Sequence, residues 1–213
     1  MKRLTRKESR AITRTRLLEA GVQLFRRDGY AATSVERIAE EAGFSKGAVY
    51  SNFESKEAIF LAVLNHQGQE GLDPLFAAID ATPHPSEVVK LLITWANERS
   101  HSGIWSLTIL EHARLAGPDA PSLMRQREIL LSHWRQLGDR VATRIPGMEG
   151  EGETLGALLH EIAYAPALTF MERPMAGDLM RLALSPWLQN DVSAQSSTEG
   201  GSARCLAMSF PHD

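Results

Sequence analysis

The sequence has little of what marks secreted, membrane-bound or disulfide-stabilised proteins. Cys205 is the only cysteine among 213 residues, which excludes an internal disulfide and a cysteine-based metal cluster. No apolar run approaches the roughly 20 residues that a membrane-spanning helix needs, and residues 1–16 are too charged for the apolar part of a secretory signal. These absences predict a soluble protein of the reducing cytoplasm.

Motifs of catalysis are also missing. His160 and Glu161 begin like a zinc-protease motif, but Tyr164 stands where that motif requires its second histidine. The sequence has no phosphate-binding loop, no nucleophile elbow and no dinucleotide-binding glycine pattern. We therefore expect no enzyme, no cofactor and no bound metal.

Charge is distributed unevenly along the chain. Residues 1–60, here called the head, contain 12 Lys and Arg against 8 Asp and Glu, whereas residues 61–213, the body, contain 11 against 18. Seven of the basic residues lie in the first 16 positions, beside a single acid, Glu8. A basic head on an acidic body suggests contact with a polyanion. On charge alone, a solvated basic arm without a partner is an equally good interpretation.

Apolar residues recur at helical spacing throughout, and no run alternates as a strand would. The pattern predicts a first helix from Glu8 to Arg27, ended by Gly29, and a second helix opened by a capping box of Thr33 and Glu36. Ser45 and Ser55 are expected to cap the third and fourth helices.

Prolines and glycines divide the remaining chain into further helices. Pro166 lies inside one of them and predicts a kink or a split. From residue 189 the composition turns to Ser, Gln, Gly and Thr, which predicts a disordered tail over residues 189–213. The fold class is therefore all-α, with about nine helices.

Residues 35–53 carry the most informative pattern. Two very short helices around a tight turn must cross steeply and closely. Ala39 supplies a small side chain at the crossing, Gly43 can take the positive φ of the turn, and Val49 faces the core. This spacing is typical of a helix-turn-helix, with a generic pair of short surface helices as the alternative.

The second short helix has an outward face of small, polar and basic residues that suit a DNA major groove. Ser45, Lys46 and Tyr50 can reach phosphates or base edges, and Gly47 allows close backbone approach. Ser51 and Asn52 complete the face. Asn52 either pairs with an adenine edge or caps the end of the helix.

Residues 11–71 resemble the TetR-type transcriptional repressors. The matching segments are Arg16 to Phe25, Gly29-Tyr30, Thr33-Ser34, Ile38-Ala39, Ala42-Gly43, Ser45 to Tyr50, Phe53, and Ser55 to Glu57. The resemblance implies an N-terminal three-helix helix-turn-helix unit and a larger helical body that dimerises and binds a small molecule. By position it implies phosphate contacts from Thr33, Tyr50 and Lys56, and groove contacts from Ser45, Lys46, Gly47, Ser51 and Asn52.

The chain departs from the family's pattern at two places. Gly21 stands where alanine is usual, at a cost of about 1 kcal/mol in helix propensity unless a side chain packs onto it. Ser51 and Asn52 replace a common aromatic or histidine pair, which affects the operator sequence. We expect a DNA-binding domain at residues 11–71 with its motif at 34–53, and a regulatory and dimerisation domain at residues 72–188.

Two sets of body residues are candidates for binding. Aromatic and polar residues in helical phase predict a pocket for a small effector; they are Trp95, Glu98, Trp105, Glu111, His112, Arg127, Trp134 and Tyr164. Leucine-rich segments predict a two-fold dimer interface formed by Leu158, Leu159, Ile162, Leu179 and Leu182. In both cases the alternative is ordinary packing within one chain.

The sequence thus predicts a ligand-responsive transcriptional regulator, a repressor that binds a palindromic DNA operator as a homodimer. A small apolar or aromatic effector would release it. The alternative is a helical DNA-binding or architectural protein that needs no effector.

Overall fold

A computed structural model describes residues 5–100, 103–169 and 173–188. The part of the chain that it describes folds into nine α-helices and contains no strand, as the sequence predicts. The predicted tail at residues 189–213 lies outside the described residues.

The first helix, α1 (Arg6–Ala32), begins two residues before the predicted start. Thr5 caps it, since the Thr5 hydroxyl accepts from the Glu8 amide while the Glu8 carboxylate accepts from the Thr5 amide. Gly29 bends the helix with a φ of 79°. Gly21 lets α1 approach the fourth helix, because a Cβ there would lie 3.1 Å from the Val63 Cγ2 atom. This contact explains the first departure from the family pattern.

The next two helices are α2 (Val35–Glu41) and α3 (Lys46–Tyr50). Ser45 caps α3 as predicted, accepting from the Ala48 amide. The predicted capping box at Thr33 is wrong. Ser34 caps α2 by accepting from the Arg37 amide, because the Thr33 side chain is buried and its hydroxyl donates to the Gly29 carbonyl at 2.8 Å.

Six longer elements complete the described fold. They are α4 (Lys56–Asp80), α5 (Pro85–Ser100), α6 (Gly103–Ala116), α7 (Pro121–Ala142), α8 (Gly152–Thr169) and α9 (Ala176–Ala183). Ser55 caps α4 as predicted, accepting from the Ala58 amide. The helix α8 continues through Pro166, so the predicted split does not occur. None of the described helices is long and apolar enough to cross a membrane.

The buried apolar residues form two clusters. One joins α1–α3 and the first half of α4, and it also includes Trp105 of α6 and Ile129 of α7. The other lies among α4, α5, α7, α8 and α9. The helix α4 therefore runs from one cluster into the other, and α6 and α7 pack directly on the head.

The helices α7 and α8 cross at a distance that only glycine permits. A Cβ at Gly156 would overlap the main-chain oxygen of Trp134, and one at Gly138 would overlap the main chain of Gly152. This crossing brings Trp134 and His160 together, with ring centroids 5.9 Å apart. Both rings line the cavity described below.

Candidate nucleic-acid interface and cavity

The turn between α2 and α3 has the geometry that the sequence predicts. Gly43 adopts a φ of 72°, and the Phe44 amide donates to the Ala39 carbonyl at 2.8 Å. Ala39 and Val49 are buried at 3% and 0% exposure, so the core beneath both helices fixes their crossing. The opposite face of α3 is left in solvent.

That solvent face presents the predicted groove-facing side chains. Ser45, Lys46, Gly47, Tyr50 and Ser51 are all exposed. Lys46 forms an ion pair with Glu36 of α2, and its Nζ atom lies 5.8 Å from the centre of the Tyr50 ring. This pairing raises the pKa of Lys46 and lowers that of Glu36. Because both side chains are more than half exposed, solvent screens the pair and Lys46 can exchange it for a phosphate.

Asn52 caps the end of α3. Its Nδ2 atom donates to the Ala48 carbonyl at 2.8 Å, and its side chain is half-buried. The buried Oδ1 atom has no hydrogen-bond partner in the described part of the chain. Of the two interpretations of Asn52 from sequence, this geometry supports the capping one.

Two arginines that the motif analysis left out lie beside α3. Arg10 donates to the Ser51 carbonyl at 2.7 Å, and Arg14 donates to the Asn52 carbonyl at 2.8 Å. Their spacing of four residues places them on one face of α1. The basic segment that precedes the motif is helical from Arg6 onward and places positive charge at the end of α3.

Two of the three side chains predicted to contact phosphates, Thr33 and Lys56, bond to main-chain carbonyls in this structure. Thr33 is 1% exposed, so its hydroxyl cannot reach a phosphate in this conformation. The Lys56 Nζ atom lies 4.2 Å from the Tyr30 ring centre and donates to the Ala31 carbonyl at 3.4 Å. Burial lowers the pKa of Lys56. Tyr50 remains an exposed candidate.

A cavity of about 180 Å³ opens among α1, α4, α5, α6, α7 and α8. Four of the eight predicted effector residues line it: Trp95, Trp105, Trp134 and Tyr164. The other four predicted residues do not line this cavity. Glu98 and Arg127 are exposed outside it, and Glu111 and His112 contact the head instead.

The cavity also holds polar residues that the sequence analysis missed, among them Arg26, Gln67, Arg99, His133, His160 and Glu161. Arg99 and His160 each lie one helical turn from a predicted residue, Trp95 and Tyr164 respectively. That spacing was a usable signal, since residues four apart share a helix face. His160 stacks on Tyr164 with ring centroids 5.6 Å apart.

Several nitrogen atoms of the cavity residues are buried and have no hydrogen-bond partner within residues 5–100, 103–169 and 173–188. They are Trp95 Nε1, Arg99 Nε, His133 Nε2 and His160 Nε2. Burial lowers the pKa of His133; burial, His133 and Arg99 lower that of His160 to about 3. Both imidazoles are therefore neutral near pH 7.

The side chains that connect α6 to the head follow the cavity residues along the helix. The Glu111 carboxylate accepts from the Ala31 amide at 3.0 Å. The His112 ring lies 4.9 Å from the Tyr30 ring and 4.6 Å from the Phe60 ring, between centroids, and its Nδ1 atom is 2.6 Å from the Gln126 Oε1 atom. These contacts join the cavity wall to the start of the helix-turn-helix.

The predicted dimer residues fall into two groups. Leu158 and Leu182 are 46% and 74% exposed, and Ile162 and Leu179 are partly buried. Leu159 is 0% exposed and packs in the core of its own chain, which corrects its placement in the interface. Within the described residues, no three His, Cys, Asp or Glu side chains converge as a metal site.

Part of the chain matches the model of a known protein family. Residues 17–63 match the model of "Bacterial regulatory proteins, tetR family". The HTH-type transcriptional repressor AcnR of Corynebacterium diphtheriae is 27% identical over 173 residues, which cover 81% of this chain and 82% of AcnR. The comparisons thus identify a tetR-family N-terminal domain at residues 17–63 of this chain.

Other transcriptional regulators are similar to this chain in the N-terminal segment or in the fold. Two Bacillus subtilis regulators are 43% and 48% identical over 51 and 50 residues, so the matched part of the chain spans less than a fifth of their length. The regulator SCO7518 of Streptomyces coelicolor has a TM-score of 0.67 at 18% identity, covering 83% of this chain and 98% of its own. The FadR structure from Bacillus subtilis, solved with stearoyl-CoA, has a TM-score of 0.59 at 17% identity, covering 82% and 97%.

Proposed function

We propose that this TetR-type chain is a transcriptional repressor that binds a palindromic operator in the cytoplasm as a homodimer and is released by a small effector. The observation that carries the proposal is the exposed face of α3, held outward by the Gly43 turn while Ala39 and Val49 are buried in the same core cluster. A short helix presented in this way fits a major groove. We assign DNA binding to residues 11–71 and regulation and dimerisation to residues 72–188.

The DNA contacts divide into groove and backbone roles. Ser45, Lys46, Gly47 and Ser51 face the groove, and Tyr50 serves the backbone. Arg10 and Arg14 add positive charge at the end of α3, close to where the phosphates of a bound duplex would pass. In this proposal Lys56 reaches a phosphate only after leaving the Ala31 carbonyl, and Thr33 supports the turn without touching DNA.

Dimerisation is supported by the leucines that a single chain leaves exposed. Leu158 of α8 and Leu182 of α9 remain in solvent beside the partly buried Ile162 and Leu179. A self-complementary patch of this kind suits a two-fold interface. Two heads on such a dimer predict operator half-sites separated by at least one helical turn of DNA.

Effector control is supported by the cavity and by its contacts to the head. The helix α4 starts beside α3 and lines the cavity with Leu64, Gly68 and Leu72. The helix α6 lines it with Trp105 and reaches the head through Glu111. A ligand that moves either helix would change the spacing of the two heads. The FadR structure with stearoyl-CoA supports ligand binding within this fold.

The effector-independent alternative requires a fully packed body. The cavity of about 180 Å³ with unpartnered polar atoms speaks against it. Reciprocal linkage separates the two functions, because a regulated protein must bind its effector more weakly by the same factor when operator is bound. Equal effector affinity with and without operator would favour the alternative.

The experiment is selection of duplexes from a random pool by the full-length chain, followed by fluorescence anisotropy on the selected duplex. We expect a palindromic consensus and an affinity that falls with salt, with a log–log slope of about 0.9 per neutralised phosphate. Sedimentation should give a dimer, and Leu158→Glu with Leu182→Glu should give a monomer. Leu107→Glu, at an exposed leucine of α6, is the matched control. A salt-independent affinity or a monomeric wild type contradicts the proposal.

A further inference from the structure

We propose that the cavity binds a monoanionic carboxylic acid with a ring-sized apolar body, held by Arg99 and Trp95. This ligand class narrows the effector of the proposed function and rests on that function. Nothing in the comparisons assigns a ligand to these two residues.

Two buried N–H groups, which can only donate, indicate a ligand that accepts hydrogen bonds. Trp95 Nε1 and Arg99 Nε are both buried and have no hydrogen-bond partner among the residues that the structure describes. An indole N–H and a guanidinium N–H can only donate. A buried donor without a hydrogen bond raises the free energy of the folded protein. A ligand carboxylate oxygen that accepts from these two N–H groups would remove that cost.

Arg99 also lacks a charge partner within the part of the chain that the structure describes. None of the ion pairs among those residues includes it. Its Nη2 atom donates to the Gly71 carbonyl at 3.4 Å, and the Tyr164 hydroxyl interacts with its side chain. Both partners are neutral, whereas a carboxylate would match the guanidinium in charge and in two-pronged geometry.

The remaining titratable groups of the cavity support one negative charge on the ligand. His133 and His160 are neutral near pH 7, because burial opposes their protonation. Arg26 and Glu161 are both exposed at the cavity wall and have opposite charges. The described lining thus contains two guanidinium groups, of Arg26 and Arg99, against the single carboxylate of Glu161, which leaves one positive charge unbalanced.

The walls define the rest of the ligand. Trp105, Trp134, Leu64 and Leu72 supply apolar surface around the polar end. A volume of about 180 Å³ accommodates on the order of 12 to 18 water-sized groups at about 10–15 Å³ each. A carboxylate on one or two fused rings has that size.

The position of Arg99 suggests how such a ligand would act on the head. Arg99 rests on α4 at Gly71, where a Cβ would lie 2.8 Å from the Arg99 Nη1 atom. A bound carboxylate would compete with the Gly71 carbonyl for the guanidinium. Binding would therefore loosen a contact between α5 and α4, the helix that continues into the head.

The test is isothermal titration of the full-length chain, without DNA, using 2-naphthoate and its neutral analogue 2-naphthalenemethanol. We expect wild type to prefer the acid by about ten- to a hundredfold, as for a hydrogen bond to a charged group. Arg99→Gln should remove this preference, and Arg99→Lys should retain part of it. Arg125→Gln, at an exposed arginine of α7 outside the cavity, should leave it unchanged. Thermal melts check that each variant is folded.

Three results would overturn the proposal. They are equal or tighter binding of the alcohol, an unchanged preference in Arg99→Gln, and no binding of naphthoate by wild type at about 1 mM. If Arg99→Gln unfolds, Arg99→Lys and the wild-type preference still decide. Operator binding is measured on DNA without any naphthalene compound, so failure of the ligand class and failure of the regulator function give different patterns.

Discussion

The Thr108 hydroxyl lies 3.1 Å from the main-chain oxygen of Phe25 and joins the cavity wall on α6 to the core of the head. Thr108 is 2% exposed, and its hydroxyl also lies 2.9 Å from the Ile104 carbonyl of its own helix. This contact links α6 to α1, two helices that the proposed mechanism requires to move together.

Replacing Thr108 with valine should lower the free energy of unfolding by about 1 kcal/mol, since one buried hydrogen bond is lost at nearly constant shape. It should also reduce the difference in effector affinity between free and operator-bound protein. Urea denaturation and titration with and without operator measure the two effects. Thr94→Val is the matched control, because Thr94 is exposed and its hydroxyl donates to the Lys90 carbonyl of its own helix. Equal effects of both substitutions would refute a linking role.

Lys46→Ala should weaken operator binding about tenfold and lower the slope of log affinity against log salt by about 0.9, because one phosphate contact is lost. The melting temperature should change little, since the ion pair with Glu36 is exposed and solvent screens it. Anisotropy at several salt concentrations and a thermal melt test both statements.

Lys90→Ala is the control for Lys46→Ala. Lys90 forms an exposed pair with Glu87 on α5, so its removal should alter neither the operator affinity nor the salt slope. A large melting shift in Lys46→Ala would show that Lys46 is structural. An unchanged slope would remove it from the DNA contacts.

The local signals in the sequence were sufficient for the helix-turn-helix. Ser45 and Ser55 cap their helices through bonds to residues three positions away, and Gly43 bends within its own turn. Such contacts depend on neighbours in the chain, so spacing alone reveals them. Thr33 was misassigned because Ser34, its immediate neighbour, competes for the same capping role.

Contacts between distant helices could not be predicted in the same way. Trp105 and His112 are seven residues apart and share one face of α6, so both were assigned to the pocket. Only Trp105 lines the cavity, because α6 has crossed onto the head by His112. Helical phase indicates which side chains of α6 lie on the same face, whereas the packing of α1 and α4 against α6 decides which residues those side chains contact. Leu159 was misplaced for the same reason.

Two glycines should respond oppositely to alanine substitution. At Gly156 the added Cβ meets the Trp134 main chain, which cannot move aside, so we expect a loss of about 2–3 kcal/mol in unfolding free energy and weaker ligand binding. At exposed Gly47 the nearest side-chain atom is 3.8 Å away, so alanine should stabilise α3 by up to about 1 kcal/mol.

Gly47→Ala also tests the groove contact. Operator binding should weaken in this variant even as stability rises, because a methyl group would separate α3 from the bases. Urea denaturation and anisotropy on the same preparations measure both quantities. Unchanged operator affinity would show that DNA does not approach α3 at Gly47, and a stable Gly156→Ala would contradict the close crossing of α7 and α8.

Burial of His160 should make the protein less stable in mild acid. Burial, His133 and Arg99 hold the His160 pKa at about 3, against an ordinary 6.5, so the unfolded chain binds this proton first. The free energy of unfolding that neutral His160 contributes is fully present above about pH 6.5 and is lost as the pH falls toward 3. At pH 5 the loss is about 2 kcal/mol. Urea denaturation at pH 7 and pH 5 should therefore show a smaller drop in His160→Gln than in wild type. His84→Gln, at an exposed histidine, should keep the wild-type drop. The same drop in all three proteins would mean that His160 is already protonated in the folded state at pH 5.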